Sequence, residues 1–391
     1  MPVRNIVSVA PIALASGFAI VSSAAWATDA SQLTGYGVAA MSMGGASIAF
    51  PQDSIAAANN PAGLAYVGNR IDLDVQFLGA SSQTTLITPA NRIDGSIIAP
   101  VPEMGFNYQL TPQITLGMST FASGAAFNYS TSALPIPGMH NAQASFKQVV
   151  ALPTVTYKVT DDFAVGASVG PAIQLFEASG LFAPGPNGAP ILFDSYNTRA
   201  AFGVTGKVGA LWNVTNWFSV GASYSPKTIM GNIPGYSKTL LSTVGGGIDI
   251  PEQYGVGIAI RPFDNVTIAV DYLHISWSDV RAYNDLFGWQ DQDVFRAGIS
   301  YDFNDVWTFR GGFSLANQAP DSDFATQNFI LTGINSNAIT AGFTCRLGGG
   351  YEFNLGLEYD IPNPLVGTGP SLGTEIRTDF WVLAMGFGMK F

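Results

Sequence analysis

Side-chain chemistry has few places to start in this chain. Among its 391 residues there are two histidines, His140 and His274, and one cysteine, Cys345. Nucleophilic catalysis needs a serine or thiol within hydrogen-bond reach of a base that a third group orients. No such pairing can be read from the spacing around either histidine, and both read as loop or strand-end residues. A lone cysteine rules out an internal disulfide framework. Gly245-Gly246-Gly247 precedes a strand-like stretch instead of a helix, so it forms no phosphate cradle. Asp285, Asp291, Asp293, Asp321 and Asp323 carry oxygen ligands suited to a divalent cation. Their scatter over loop-like segments reads better as solvated charge. The expectation is a protein that is not an enzyme and uses no cofactor and no metal.

The most distinctive polar motif is Asn60-Pro61-Ala62. Pro61 fixes its own φ and pushes Asn60 towards extended geometry. The Asn60 side chain can bond nearby backbone. A plain surface turn fits these residues by themselves, but their surroundings point elsewhere. The stretch from Thr28 to Gly68 is rich in Gly, Ala and Ser, is nearly uncharged, and has no sustained period-2 pattern. Small residues let backbone pack closely where space is short. Standing ahead of many alternating segments, the stretch reads as a plug within a barrel.

Composition supports the barrel. The chain is 47% hydrophobic but 11% charged, whereas a soluble domain is about a quarter charged. After the N-terminus no run of about 18 apolar residues appears, which excludes helical spans. Apolar content without helical spans suits a transmembrane β-barrel, where lipid-facing and lumen-facing residues alternate. The net charge of −11 argues against nucleic acid, which needs a basic footprint. Residues 1–27 have the form of a secretory signal, with Arg4, an apolar run, and Ala25-Trp26-Ala27 as a small-x-small cleavage site. The expected organisation is signal peptide 1–27, hatch 28–69 and barrel 70–391.

The alternation is clearest near the C-terminus. Tyr351, Phe353, Leu355, Leu357 and Tyr359 share one face, and Glu352, Asn354, Glu358 and Asp360 the other. Strands are expected near 70–80, 101–110, 113–129, 146–159, 162–176, 197–213, 217–229, 250–261, 265–277, 293–303, 306–315, 337–347, 351–360 and 376–391. Their connections alternate in length. Short turns fall near Thr111-Pro112, Thr160-Asp162, Thr215-Asn216, Pro262-Asp264, Asn304-Asp305 and Gly348-Gly349. Longer links fall near 81–100, 130–145, 177–196, 230–249, 278–292, 317–336 and 362–375. An even-stranded outer-membrane barrel has this arrangement of short periplasmic turns and long outer loops. The fold class is therefore all-β: an antiparallel transmembrane barrel of about fourteen strands with an N-terminal hatch in its lumen.

With these features in place, the chain resembles the FadL/TodX family of outer-membrane transporters for long-chain fatty acids and hydrocarbons. The resemblance is carried by Gly35-Tyr36-Gly37, Gly44-Gly45-Ala46 and Asn60-Pro61-Ala62. It continues through TFASGAAFNY, SVGASYSPKTIMGNIPGY and IPEQYGVGIAIRPFDNVTIAVDYLHISWSDV, and ends at Phe391. It implies uptake of hydrophobic molecules across the outer membrane of a Gram-negative bacterium, with sideways release at a kinked third strand. Ser123-Gly124 stands where that kink would be, and glycine within a strand marks a bulge or bend on independent grounds. Phe121, Phe127 and Tyr129 would line the ligand path, and Asn60 would cap the backbone groups freed at the kink. Phe387, Met389 and Phe391 resemble the signal read by the barrel-assembly machinery. Outer-membrane lipid and a hydrophobic small molecule are the other expected partners, and a monomer is expected.

One departure bears on the ligand. The family's fatty-acid member has a basic residue on the fifth strand, and DFAVGASVGPAIQLFEASG holds no Lys or Arg. Lys207, Arg296, Arg310 and Arg346 lie on expected lumen faces and are the substitutes for a carboxylate partner; otherwise the ligand is uncharged. The alternative function class is a general diffusion porin or structural barrel, which would need an open polar channel or none.

Overall fold

The computed structural model describes residues 30–184, 190–331 and 333–391. The expected signal peptide and its cleavage site lie outside the described residues. Fourteen strands form the barrel: β1 Arg70–Thr85, β2 Arg92–Gln109, β3 Ile114–Ser132, β4 Asn141–Lys158, β5 Phe163–Ser179, β6 Tyr196–Thr215 and β7 Phe218–Ser225, then β8 Gln253–Phe263, β9 Val266–Ile275, β10 Gln292–Asp302, β11 Trp307–Ala316, β12 Asn337–Gly348, β13 Tyr351–Asp360 and β14 Glu375–Lys390. Each pairs antiparallel with its neighbour in the chain. β14 returns to β1, with Lys390 opposite Arg70, so the sheet closes into a barrel.

The alternation read from the sequence is the inside–outside alternation of the wall. On β13, Glu352, Asn354, Glu358 and Asp360 are buried, while Tyr351, Leu357 and Tyr359 are exposed. Val204 is 71% exposed and Val169 64%. Apolar patches of that extent suit lipid and not water. Trp212, Trp217, Phe263, Phe303, Trp307 and Tyr351 mark the end with the short turns, where an aromatic girdle belongs.

The strand count agrees with the expectation, but one loop does not. The link expected at 81–100 is mostly strand, and only residues 86–91 join β1 to β2. Near the tip the outward positions are polar: Ser81, Gln83, Asp94 and Ser96 are exposed. A hairpin that rises past the lipid keeps its backbone ladder but loses the apolar stripe that advertises a strand.

Residues 30–66 are mostly buried, and they bond to inward-facing groups of the strands. The segment is short turns of helix and loop: α1 Val38–Met41 and two 3₁₀ turns, Ser54–Ala58 and Pro61–Tyr66. Asp53 caps the first 3₁₀ turn through Ile55 N and Asn60 caps the second through Ala62 N. Barrel carboxylates satisfy other backbone donors. Asp74 accepts Val38 N at 2.8 Å, Glu103 accepts Gly37 N at 3.0 Å, and Asp72 accepts Ser54 N at 2.8 Å. Asp271 accepts both Ser47 N at 2.7 Å and Ile48 N at 2.9 Å.

The wall makes room for this segment with glycine. A Cβ at Gly105 would run into Ser54–Ile55, one at Gly166 into Pro61–Ala62, and one at Gly221 into Ile48. Gly298, Gly312 and Gly342 would meet Met43, Met43–Gly44 and Ser42 in the same way. Small residues inside and glycines around them therefore solve one packing problem, since interiors are filled to crystal-like density.

Candidate functional site

The wall is incomplete in one place. β2 pairs with β3 only from Met104–Thr120 to Gln109–Thr115. Beyond Thr120 the outer half of β3 leaves β2, while its ladder to β4 runs on through Asn128. Over residues 119–127 both faces of β3 are buried or partly buried, as a strand drawn into the lumen requires. The sequence permits this because Ala122, Gly124, Ala125 and Ala126 add little bulk. Gly124 has φ +152°, a value L side chains rarely adopt. Ser123-Gly124 thus lies in the part of β3 that has left β2 and is buried on both faces.

A strand that leaves its partner exposes backbone donors, and inside a membrane each must be met. The Gly124 amide donates to the Ser31 carbonyl at 3.1 Å. The capping role expected of Asn60 is not what the structure contains. Asn60 Nδ2 donates to Ile48 O at 2.8 Å and to Ala210 O of β6 at 3.0 Å, and Thr156 of β4 donates to Pro61 O at 2.7 Å. The Asn60-Pro61-Ala62 motif therefore anchors the N-terminal segment against β4–β6 and lies away from Ser123-Gly124. A Cβ at Gly124 would strike the Phe146 carbonyl oxygen, so the backbone packs here at a distance that only glycine allows.

The aromatic residues expected along the path divide. The Phe121 ring lies 4.3 Å from that of Tyr36 and lines a cavity of about 40 Å³ with Val150 and Leu152. Phe127 and Tyr129 stack at 5.0 Å, and the Tyr129 hydroxyl donates to Phe329 O at 2.6 Å. Higher up, Phe146, Phe176, Leu241, Phe287 and Ile330 enclose a wholly apolar pocket of about 10 Å³ beneath the outer loops.

The four basic residues separate into two pairs. Lys207 and Arg296 both line a cavity of about 20 Å³ that shares Gln32, Tyr36 and Gln253 with the Phe121 cavity. No Asp or Glu lines either space. One Lys207 donor goes to Ala58 O at 2.6 Å. Arg310 and Arg346 instead face a polar cavity of about 190 Å³ at the end with the short turns. Arg310 donates to Gln52 and Thr344, each at 2.7 Å, and Arg346 pairs with Asp302 at 3.1 Å.

His140 is exposed in an outer loop. His274 Nδ1 lies 2.8 Å from Asp293 at the outer end of β9, on the outward face. The tethering carboxylates Asp72, Asp74, Glu103 and Asp271 escaped sequence reasoning. Their one signal was charge at inward strand positions in a chain poor in charge.

A closed fourteen-stranded barrel whose lumen holds its own N-terminal segment defines an outer-membrane protein of the plugged-channel class. Solved structures share the fold. The toluene transporter TbuX of Ralstonia pickettii is 19% identical with a TM-score of 0.69, over 92% of this chain and 99% of that one. The toluene transporter TodX of Pseudomonas putida is 17% identical with a TM-score of 0.73, over 92% and 99%. A FadL homologue of Pseudomonas aeruginosa is 15% identical with a TM-score of 0.68, over 91% and 98%. No curated protein sequence matches. Residues 7–328 match the outer membrane protein transport protein family (OMPP1/FadL/TodX), and the chain belongs to that family.

Proposed function

We propose that this protein takes up hydrophobic small molecules and releases them sideways into the membrane between β2 and β3. The observation that carries the reading is the loss of β2–β3 pairing beyond Thr120, with β3 buried on both faces. Sending apolar surface into the aqueous periplasm costs about 25 cal/mol per Å², and a lateral exit avoids that cost. The residues from Ala30 to Tyr66 act as the hatch, and Phe121, Phe127 and Tyr129 line the path. A porin would need a clear polar lumen, whereas the inward carboxylates here bond hatch backbone. Lys207, which lines both cavities beside the aromatic wall, is the basic group that a cargo with one anionic end would meet there.

The test closes the opening and leaves the ladder intact. Ala126→Trp and Ile97→Trp each add bulk beside the broken seam. Val169→Trp places the same indole on the lipid face of β5. Uptake of a labelled hydrophobic probe by intact cells is expected to fall at least tenfold in the first two and to persist in the third. Heat-modifiable mobility on a gel establishes that each barrel is folded. Full uptake by a folded Ala126→Trp barrel would overturn the lateral route.

A further inference from the structure

Where β3 turns inward, it leaves a groove of about 240 Å³ bounded by Ile97, Ala126, Phe127, Leu175, Lys147 and Glu177. Gln143, Ser145, Lys147, Leu175 and Glu177 occupy the outward positions of β4 and β5, alternating with the buried Phe146, Gln148 and Phe176. The groove therefore opens on the lipid side of the wall and begins where the β2–β3 seam has parted. It also sits at a boundary. Ser145 stands opposite Glu177 and Lys147 opposite Leu175. Below that row the outward positions turn apolar, with Val149 and Ile173, and above it they are polar. This is the level at which headgroups give way to acyl chains.

Lys147 is half-buried in this groove. Among the described residues its ammonium forms no hydrogen bond and no ion pair within 4 Å. The nearby Glu177 instead accepts the Thr198 hydroxyl at 2.5 Å. An ammonium in such a place is best met by an anion with a planar or rounded oxygen group, through a charge-assisted hydrogen bond.

We infer that the groove is a headgroup-receiving site for an amphiphile with one carboxylate, which Lys147 holds at the membrane surface as the tail passes through the seam. The inference rests on the lateral route proposed above. Geometry favours this cargo, because a single-chain amphiphile entering the outer leaflet must end with its charge at this level and its tail below.

The experiment compares labelled dodecanoate with labelled dodecanol in intact cells carrying the full-length protein. Lys147→Met keeps the length and apolar stem of the side chain and removes the charge. It is expected to slow dodecanoate uptake roughly threefold to tenfold and to leave dodecanol uptake unchanged, with Lys147→Arg restoring the rate. Equal slowing of both probes, or of neither, overturns the inference. A second arm measures lipid phosphate bound to the purified barrel. A loss of bound phosphate in Lys147→Met assigns the lysine to a resident lipid and also overturns it. Ala126→Trp keeps the two readings apart. If it blocks both probes while Lys147→Met affects neither, the exit stands and the headgroup site falls. If it blocks neither, the lateral route itself fails.

Discussion

The Ser31 carbonyl accepts the Gly124 amide at 3.1 Å, in the place that the strand order would have given to β2. The start of the N-terminal segment thus supplies a partner where β2 does not pair with β3. The Ser31 hydroxyl also lies 3.4 Å from that of Tyr283 in the outer loop helix α2, Arg281–Phe287, which ties the same residue to the roof. Removing residues 28–33 takes away the acceptor. Amide hydrogen exchange at Gly124 is expected to rise by about an order of magnitude or more, the scale set by one net hydrogen bond of about 1 kcal/mol plus gained solvent access. Amides of β3 paired with β4 should stay protected. Unchanged exchange at Gly124 would show that Ser31 is not its working partner.

Asp271 holds two amides of the N-terminal segment, Ser47 N and Ile48 N, on one oxygen. Asp271→Ala would leave both donors buried without an acceptor, at about 1–3 kcal/mol each. Asp271→Asn keeps one acceptor and should cost less. Planar-bilayer recordings should show more frequent openings in the order Ala, then Asn, then wild type. Three identical traces would mean that this tether does not hold the lumen closed.

Asp53 gives the hatch a dependence on pH. Burial is the main cause, and the neighbouring Asp72 a second, that raises its carboxyl from 3.8 to about 7, against the opposing pull of Arg70. An acid whose docked pKa exceeds its free value favours the docked state when protonated. That contribution is fully present below about 3.8 and is lost as the pH rises to about 7. Asp53→Asn keeps an acceptor for Ile55 N and removes the charge. Protease resistance of residues 50–66 should match wild type near pH 4 and exceed it above pH 7, with each pKa unit worth about 1.4 kcal/mol. Greater resistance at low pH alone would contradict this assignment.

The C-terminal strand was legible as an outward row, and Phe387 and Phe391 are exposed with Met389 half-buried between them. Deleting Phe391 is expected to lower the heat-modifiable fraction in outer membranes severalfold if this row is the assembly signal. The same deletion should leave refolding into detergent nearly unchanged, since Phe391 adds one hydrogen bond, from its amide to Asn69 O at 3.1 Å. An unchanged folded fraction in cells would remove that role.

How much the sequence disclosed depends on which side of the wall a residue faces. Lipid imposes one rule on every outward position, so Tyr351, Leu357 and Tyr359 declared their face by spacing alone. The lumen imposes no such rule. Asn60 carried a recognisable motif, yet its partner Ala210 lies 150 residues away, and no local pattern encodes that distance. The glycines at 105, 298 and 342 looked like weak strand residues because the backbone they admit belongs to another part of the chain. The Gly124 amide finds its acceptor at Ser31, 93 residues earlier in the chain, and no local pattern around Ser123-Gly124 pointed to that residue.

The faces can be tested by depth as well as by side. Leu355 is midway along β13 and points outward, between the girdle residues Tyr351 and Tyr359. Its neighbour Asn354 faces the other way, buried inside the barrel at 6% exposure, and accepts the Thr344 hydroxyl at 2.5 Å. An arginine there would meet Arg310 and Arg346 across the same cavity. The useful contrast runs along one face. Leu355→Arg places a charge near the bilayer midplane and should cost about 2–4 kcal/mol, whereas Tyr351→Arg, at the interface, should cost about 0–1 kcal/mol. Urea titration of refolding into vesicles reads both values. Equal costs would mean that Tyr351 and Leu355 sit at the same depth, which four residues of spacing along a strand tilted by the usual ~35–45° do not allow.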